Sequence, residues 1–312
     1  MNNIITITLN TAIDRVMEVD GFAIGRHTRG RLIGRVPAGK GVNVSRALAA
    51  LGVPNVATGF VGREEFDLYE RSLGDDGVAS QFLAVEGTTR ENLTVIDPSA
   101  GLETHIRDEG FDVAPADLVR LGNKLNLLAK ADDLVVISGS LPRGVDVSDA
   151  AHLIEIAENK GAHVAVDGSG EMLRALEGRS MWLLKPNRDE LAALAPTAIE
   201  NDEALIEIGR DLSERVHFVI VSCGAAGGYL FIRGSALIGQ VDMDTSRAVS
   251  SVGCGDCMLA GFIASRKRGD DARSAYRYAL AVATAAAIHT LPGRFDLALV
   301  EELLPRVSVE PV

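Results

Sequence analysis

This 312-residue chain lacks most of what would point to a membrane, a nucleic acid or an oxidising compartment. No apolar run approaches the roughly 18 residues of a spanning helix, so no membrane span is expected. Lysine and arginine are scattered, and acidic residues outnumber them 43 to 31 for a net charge of −12. Nucleic acid is therefore not an expected partner. The acidic total does not exclude anionic substrates, because a site sets its own local field. Cysteine is scarce: Cys223, Cys254 and Cys257 are the whole supply. Their number is odd and no zinc spacing appears, so they read as reduced thiols. The opening MNNIITITLN has no basic start and no cleavage site, and a cytoplasmic protein without a signal peptide is expected. The first strand is not followed by GxGxxG; residues 8–15 read TLNTAIDR instead, which argues against a dinucleotide-binding enzyme. Internal repeats and low-complexity linkers are absent.

What is present is a globular composition, 47% apolar and 24% charged. Buried-strand candidates recur at Ile4–Leu9, Val56–Phe60, Leu134–Ile137, Val164–Val166, Trp182–Leu184 and Phe218–Val221. Helical spacing lies between them, as in Val44, Ala47, Leu48 and Leu51. Alternation of this kind predicts a mostly parallel sheet covered by helices on both faces. Ligands of such sheets bind beyond the carboxyl ends of the strands. The loops SGS, KPN and SCG each follow a strand candidate, so they are expected on that one edge. Residues 16–37 and 88–106 break the pattern. They are polar, extended and hairpin-like, and predict a small second sheet within one domain spanning 1–312. The tail after Pro305 is expected to fray.

The stretch VGCGDCMLAGF, Val252 to Phe262, carries the most chemistry. Gly253 and Gly255 permit backbone angles closed to bulkier residues and let amides approach a ligand. Leu259, Phe262, Ile263 and Arg266 share one stripe of a helix expected over Cys257–Arg268. The free amides and positive end of that helix favour an anion, with phosphate the usual occupant. Asp256 in that position is either a capping residue or a general base held beside a phosphoryl group.

Further segments extend the pattern. They are TLNTAIDR (Thr8 to Arg15), AGKGVNVSRAL (Ala38 to Leu48), TRENL (Thr89 to Leu93), ISGSLPRGV (Ile137 to Val145), KPNRDEL (Lys185 to Leu191) and VSCGAAGGYL (Val221 to Leu230). Together with the VGCGD loop, in this order, they resemble the PfkB (ribokinase-like) carbohydrate kinases. Cys254 stands where the family's GAGD signature has alanine. The resemblance runs from residue 4 to about residue 290. The TLN opening with AGKGVN and TRxN is similar to the branch of 1-phosphofructokinases, tagatose-6-phosphate kinases and minor 6-phosphofructokinases.

The resemblance implies a ribokinase-like three-layer α/β/α fold, a mostly parallel central sheet and a small β-sheet lid that also forms a homodimer contact. It implies ATP and Mg²⁺, and a ketohexose phosphate as acceptor: fructose 1-phosphate first, with tagatose 6-phosphate or fructose 6-phosphate as alternatives. A non-catalytic sensor on the same scaffold is a third reading, which the intact Gly255–Asp256 pair disfavours. Asp256 would be the base, with the amides of Gly253, Cys254, Gly255 and Asp256 as an anion hole. Lys185, Ser222, Gly224 and Gly227 would hold the nucleotide, and the helix over Ala279–His289 would wall the adenine. Asn187 and Glu190, one turn apart, would order Mg²⁺ through its waters. Asp14, Gly39, Lys40 and Asn43 would face the sugar, and Arg90, Arg29 and Ser138 its phosphate. Thr11 replaces a proline of the family pattern, and Pro37-Ala38 replace its leading glycines. Both departures fall on the sugar side.

Overall fold

The computed structural model describes every residue except 169, 177, 196 and 197. Fifteen strands are present among the described residues: β1 (Ile4–Thr8), β2 (Ala12–Glu18), β3 (Arg31–Ala38), β4 (Val56–Gly62), β5 (Ala79–Ser80), β6 (Leu83–Val85), β7 (Arg90–Asp97), β8 (Leu102–Arg107), β9 (Leu134–Gly139), β10 (His163–Gly168), β11 (Met181–Leu184), β12 (Val216–Ser222), β13 (Gly228–Ile232), β14 (Ser235–Val241) and β15 (Val307–Pro311). Nine α-helices accompany them: α1 (Lys40–Ala50), α2 (Phe66–Asp75), α3 (Pro115–Leu128), α4 (Val147–Asn159), α5 (Arg188–Leu194), α6 (Asp202–Ser213), α7 (Cys254–Arg268), α8 (Ala272–Ala287) and α9 (Leu297–Leu303).

The central sheet has eleven strands in the order β15-β14-β13-β12-β11-β10-β9-β1-β4-β5, with β6 beside β4. From β12 to β5 the pairs are parallel, and β13, β14 and β15 add antiparallel to one edge. The inner strands are continuous apolar runs because both of their faces are covered. Ile5, Ile7, Val135, Ile137, Val164 and Val166 face the layer of α3, α4, α5 and α6. Ile4, Leu134, Val136, Ala165, Phe218 and Ile220 face α1, α7, α8 and α9. This is the three-layer α/β/α arrangement, produced by the period-two alternation of side chains along each strand.

A separate four-stranded sheet has the order β3-β2-β7-β8. Its strands fall in the two segments that break the α/β pattern, although β2 begins at Ala12 rather than residue 16. Asp14 therefore lies within a strand of this sheet. Leu291 reaches it from the loop after α8: a Cβ on Gly34 would stand 2.7 Å from Leu291 Cδ2.

Two expectations are corrected. The segment after Pro305 does not fray. Val307 and Val309 alternate into the core, and β15 pairs with β14 from Val241↔Val307 to Leu237↔Pro311. Helix α7 begins at Cys254 rather than Cys257, so the glycine loop is its first turn. The helix expected to wall an adenine is the C-terminal part of α8; Ala279, Leu280, Ala281 and Val282 are buried in the core there. Among the described residues no helix is long and apolar enough to cross a membrane.

Candidate active site

The motif loops meet at the carboxyl edge of the parallel strands. Ser138 sits beside Asp167 in the β9–β10 register. Lys185 directly follows β11, and Asn187 bridges to Ser222 at the end of β12. Helices α1 and α7 present their N-termini to the same edge. Gly39 caps α1 with φ 129° and Gly253 caps α7 with φ 81°. Both angles are closed to ordinary side chains. A Cβ on Gly253 would also come within 2.7 Å of the Gly293 amide nitrogen.

Asp256 lies in the first turn of α7 and is buried. Asn43 Nδ2 donates to its Oδ2 at 2.8 Å. Burial and the nearby Asp167 carboxylate push the Asp256 carboxyl up to about 7, against the pull of Lys40, Asn43 and Lys185. Asp167 is fully buried and meets Lys40 Nζ at 3.0 Å and Lys185 Nζ at 3.3 Å. Burial alone would raise the Asp167 carboxyl; the two ammonium groups more than offset it and hold it below its ordinary value. Lys40 also meets Glu190 at 3.2 Å. Burial opposes its charge, but Asp167, Asp256 and Glu190 raise its affinity for a proton. Three carboxylates thus face two ammonium groups. Asp256, paired only with an amide, takes the mismatch, and a carboxyl that titrates near neutrality suits general-base work.

The anion site beside it is built from backbone. The Gly255 and Asp256 amides are in the first turn of α7, where no intrahelical acceptor exists. The Cys254 amide points weakly at Ser251 O, 3.4 Å away. Lys185 closes the site from β11: a Cβ on Gly255 would stand 3.0 Å from its Nζ. The arrangement stabilises negative charge at that helix end. Cys254 is a packing residue, its thiol pushed up to about 12 by burial and by Asp256. Cys257 is fully buried and shifted the same way.

Asn187 and Glu190 form a reciprocal cap of α5. Asn187 Oδ1 accepts from the Glu190 amide at 2.7 Å, and Glu190 Oε2 accepts from the Asn187 amide at 2.9 Å. Glu190 Oε1 takes Lys40. With these oxygens engaged, a cation would meet this pair through water. Among the described residues no three His, Cys, Asp or Glu gather to hold a metal. Contact through water fits magnesium, which keeps several of its waters when bound. After β12, Gly224 has φ 59° with open space around it, whereas a Cβ on Gly227 would overlap Gly239 O at 2.1 Å. The first glycine leaves the turn open to a ligand; the second is required by packing.

On the other side, Asp14 is buried and accepts from Asn92 Nδ2 at 2.9 Å. Burial raises its carboxyl, moderated by Asn92, Arg90, Arg46 and Arg107. Arg90 is held by the carbonyls of Thr11 (3.3 Å) and Asn10 (3.1 Å). Burial, followed by the charge of Arg107, lowers its proton affinity. The hydroxyl of Thr11 donates to Phe60 O at 2.7 Å, which ties this departure from the family pattern to β4. Ser138 Oγ is buried without a partner. Arg29 is exposed in the turn between β2 and β3 and makes no hydrogen bond or ion pair with the other site residues among those described. Sequence reasoning missed Asp167, Asn92 and Arg107. It also missed Gly293, on which a Cβ would lie 3.0 Å from Asn43 Cβ. Asp167 directly follows the strand candidate Val164–Val166, too ordinary a setting to single it out; Arg107 and Gly293 carried no signal.

A parallel sheet with two helix N-termini and a buried carboxylate at its carboxyl edge is an arrangement that suits phosphoryl transfer. The chain belongs to the pfkB family of carbohydrate kinases, whose model matches residues 2–294. It is 30% identical over 310 residues to a 1-phosphofructokinase of Haemophilus influenzae, covering 99% of this chain and 98% of that one. To a 1-phosphofructokinase of Rhodobacter capsulatus it is 35% identical over 283 residues, covering 89% and 88%. A solved Thermotoga maritima structure described as a possible 1-phosphofructokinase superposes with TM-score 0.89 at 27% identity, covering 100% of both chains.

Proposed function

We propose that the chain moves the γ-phosphoryl group of ATP to a hydroxyl of a ketohexose phosphate, with fructose 1-phosphate going to fructose 1,6-bisphosphate. The observation that carries this is Asp256. A buried carboxylate titrating near 7 stands at a helix N-terminus beside Lys185. Asp256 takes the proton of the acceptor hydroxyl, and Asn43 fixes the carboxylate for that transfer. The Gly255 and Asp256 amides with Lys185 stabilise the charge that develops on the moving group. Ser222 and Gly224 line the nucleotide phosphates. Asn187 and Glu190 would hold Mg²⁺ through its waters, and the ion would supply positive charge against the nucleotide phosphates.

The phosphosugar assignment rests on the guanidinium pair. Arg107 lies close enough to lower the proton affinity of Arg90, and both act on the Asp14 carboxyl. The half-buried Arg90, the exposed Arg107 and the buried Asp14 carboxylate together suit a ligand with one phosphate and several hydroxyls. The buried, partnerless hydroxyl of Ser138 is a further donor. The 1-phosphofructokinase relatives support fructose 1-phosphate over tagatose 6-phosphate or fructose 6-phosphate. The small sheet acts as a lid, and its outer face forms a homodimer contact. ATP consumption with fructose 1-phosphate, fructose 6-phosphate, tagatose 6-phosphate, fructose and ribose tests the reading. The highest kcat/KM is expected with fructose 1-phosphate. Equal turnover of free fructose defeats the phosphosugar assignment.

A further inference from the structure

The strands β10, β11 and β12 carry active-site residues at their carboxyl ends. Their opposite ends line a groove of about 610 Å³, a volume that suits a small-molecule ligand. Its walls include His163, Trp182, Arg215, His217 and Arg233. The fixed positive charges among its walls are Arg215 and Arg233. Glu158 and Glu214 line the groove as well. Glu158 is taken by Arg179 at 3.1 Å, and Glu214 lies against the turn at Gly234, where a Cβ would stand 2.8 Å from its Oε1. Among the described residues, the Arg215 and Arg233 guanidinium groups have no hydrogen-bond or ion-pair partner.

Arg233 supplies a second observation. It has φ 47° in the two-residue turn between β13 and β14, and only Asp132 shares a positive φ among the other described non-glycine residues. Such a turn favours asparagine or glycine at this position. A long side chain held there against its backbone preference is a pointer to function. The His217 imidazole is held below its ordinary proton affinity by burial and then by Arg233, Arg266 and His163. An anion seated among these groups would offset that mutual repulsion. Trp182 packs edge-on against Phe218, with ring centroids 5.4 Å apart, and keeps part of its surface in the groove.

We infer that this groove binds a small phosphorylated anion, with Arg215 and Arg233 on the phosphoryl oxygens and Trp182 against the remainder of the ligand. Guanidinium forks match phosphate geometry. The site is independent of the proposed sugar chemistry, and a failure here leaves the kinase reading intact. Trp182 is the only tryptophan of the chain, so its emission reports occupancy directly. Titration of the full chain with inorganic pyrophosphate, and separately with adenosine monophosphate, should give a saturable emission change with at least one probe. Arg215→Ala should weaken that binding by about tenfold or more, as loss of a charged hydrogen bond does. Arg233→Gly should weaken it similarly while holding or raising Tm, because glycine accepts the turn's φ. Both variants should keep wild-type kcat. No saturable change with either probe, unaltered affinity in both variants, or equal affinity for sulfate would each overturn the proposal.

Discussion

The surroundings of Asp256 disfavour its charge, and that has consequences at the scale of one residue. Asp256→Asn keeps the shape and can still accept from Asn43, but it cannot take a proton. A kcat loss of ~10²–10⁴ is expected with ATP affinity nearly unchanged; a variant within a few-fold of wild type would reduce Asp256 to a helix cap. The base works ionised, so kcat/KM should rise through about pH 7 and then level. The sign for stability is opposite. The folded carboxyl titrates near 7 and the unfolded one near 3.8, so the folded state holds the extra proton in between, and stability falls as pH rises through that window. Asp256→Asn should therefore gain more Tm over wild type above pH 7 than below pH 3.8, as a pH series of thermal melts would show. Arg90 gives a second residue-level test. Hydrogen bonds to charged groups contribute roughly 1.5–3 kcal/mol, so Arg90→Ala should raise KM for the phosphosugar about tenfold to 150-fold and leave KM for ATP alone. An unchanged phosphosugar KM removes Arg90 from the site. Asp256 and Lys185 were legible because a loop and a strand end flagged them. Asp167 was hidden by its ordinary setting, since VDG at a strand end is a common turn, and only the three-dimensional meeting with Lys40 and Lys185 gives it meaning.

At the scale of elements, the start of α5 does two jobs that a single sequence cannot separate. An Asn with Glu three residues on is a capping box, and it is also the proposed metal-water element. Substitution separates them. Asn187→Ala removes the cap, about 0.5–2 kcal/mol of stability, and should also raise the Mg²⁺ needed for half-maximal rate. Glu190→Gln retains a capping partner but loses its ion pair with Lys40, so it should raise the Mg²⁺ requirement while α5 stays capped. If neither variant shifts the Mg²⁺ titration, the pair is a cap alone. The strand and helix pattern of the core was readable from periodicity. The start of α7 was not, because glycine, cysteine and aspartate are weak helix formers and tertiary packing recruits them. β15 was missed because five residues, VSVEP, give too short an alternation to stand out before β14 supplies a partner.

At the scale of the whole molecule, the distribution of exposed apolar surface is uneven. Ile24 is 96% exposed, Leu102 65%, Ile106 53% and Leu32 51%, and all four belong to the small sheet or its turn. Along β8, Leu102 and Ile106 share one face, while Glu103, which accepts from the Ser251 amide at 3.5 Å, lies on the other. The apolar face points away from the site, and such patches mark contact surfaces. The proposed homodimer through this sheet predicts that wild type elutes as a dimer with light-scattering detection. Leu102→Lys combined with Ile106→Lys should elute as a monomer with an unchanged melting profile. A double variant that remains dimeric puts the interface elsewhere.

The position of β1 has a consequence for the growing chain. Strand β1 is made before both of its partners, β4 on one side and β9 on the other. Its second neighbour emerges only after roughly 70 further residues beyond β4, several seconds of translation at ~5–20 residues per second. During that interval Ile4, Ile5 and Ile7 stand at an open, sticky border. Slow codons between residues 62 and 134 would lengthen this exposure, and quick passage through that stretch would protect the nascent protein from clumping on the ribosome.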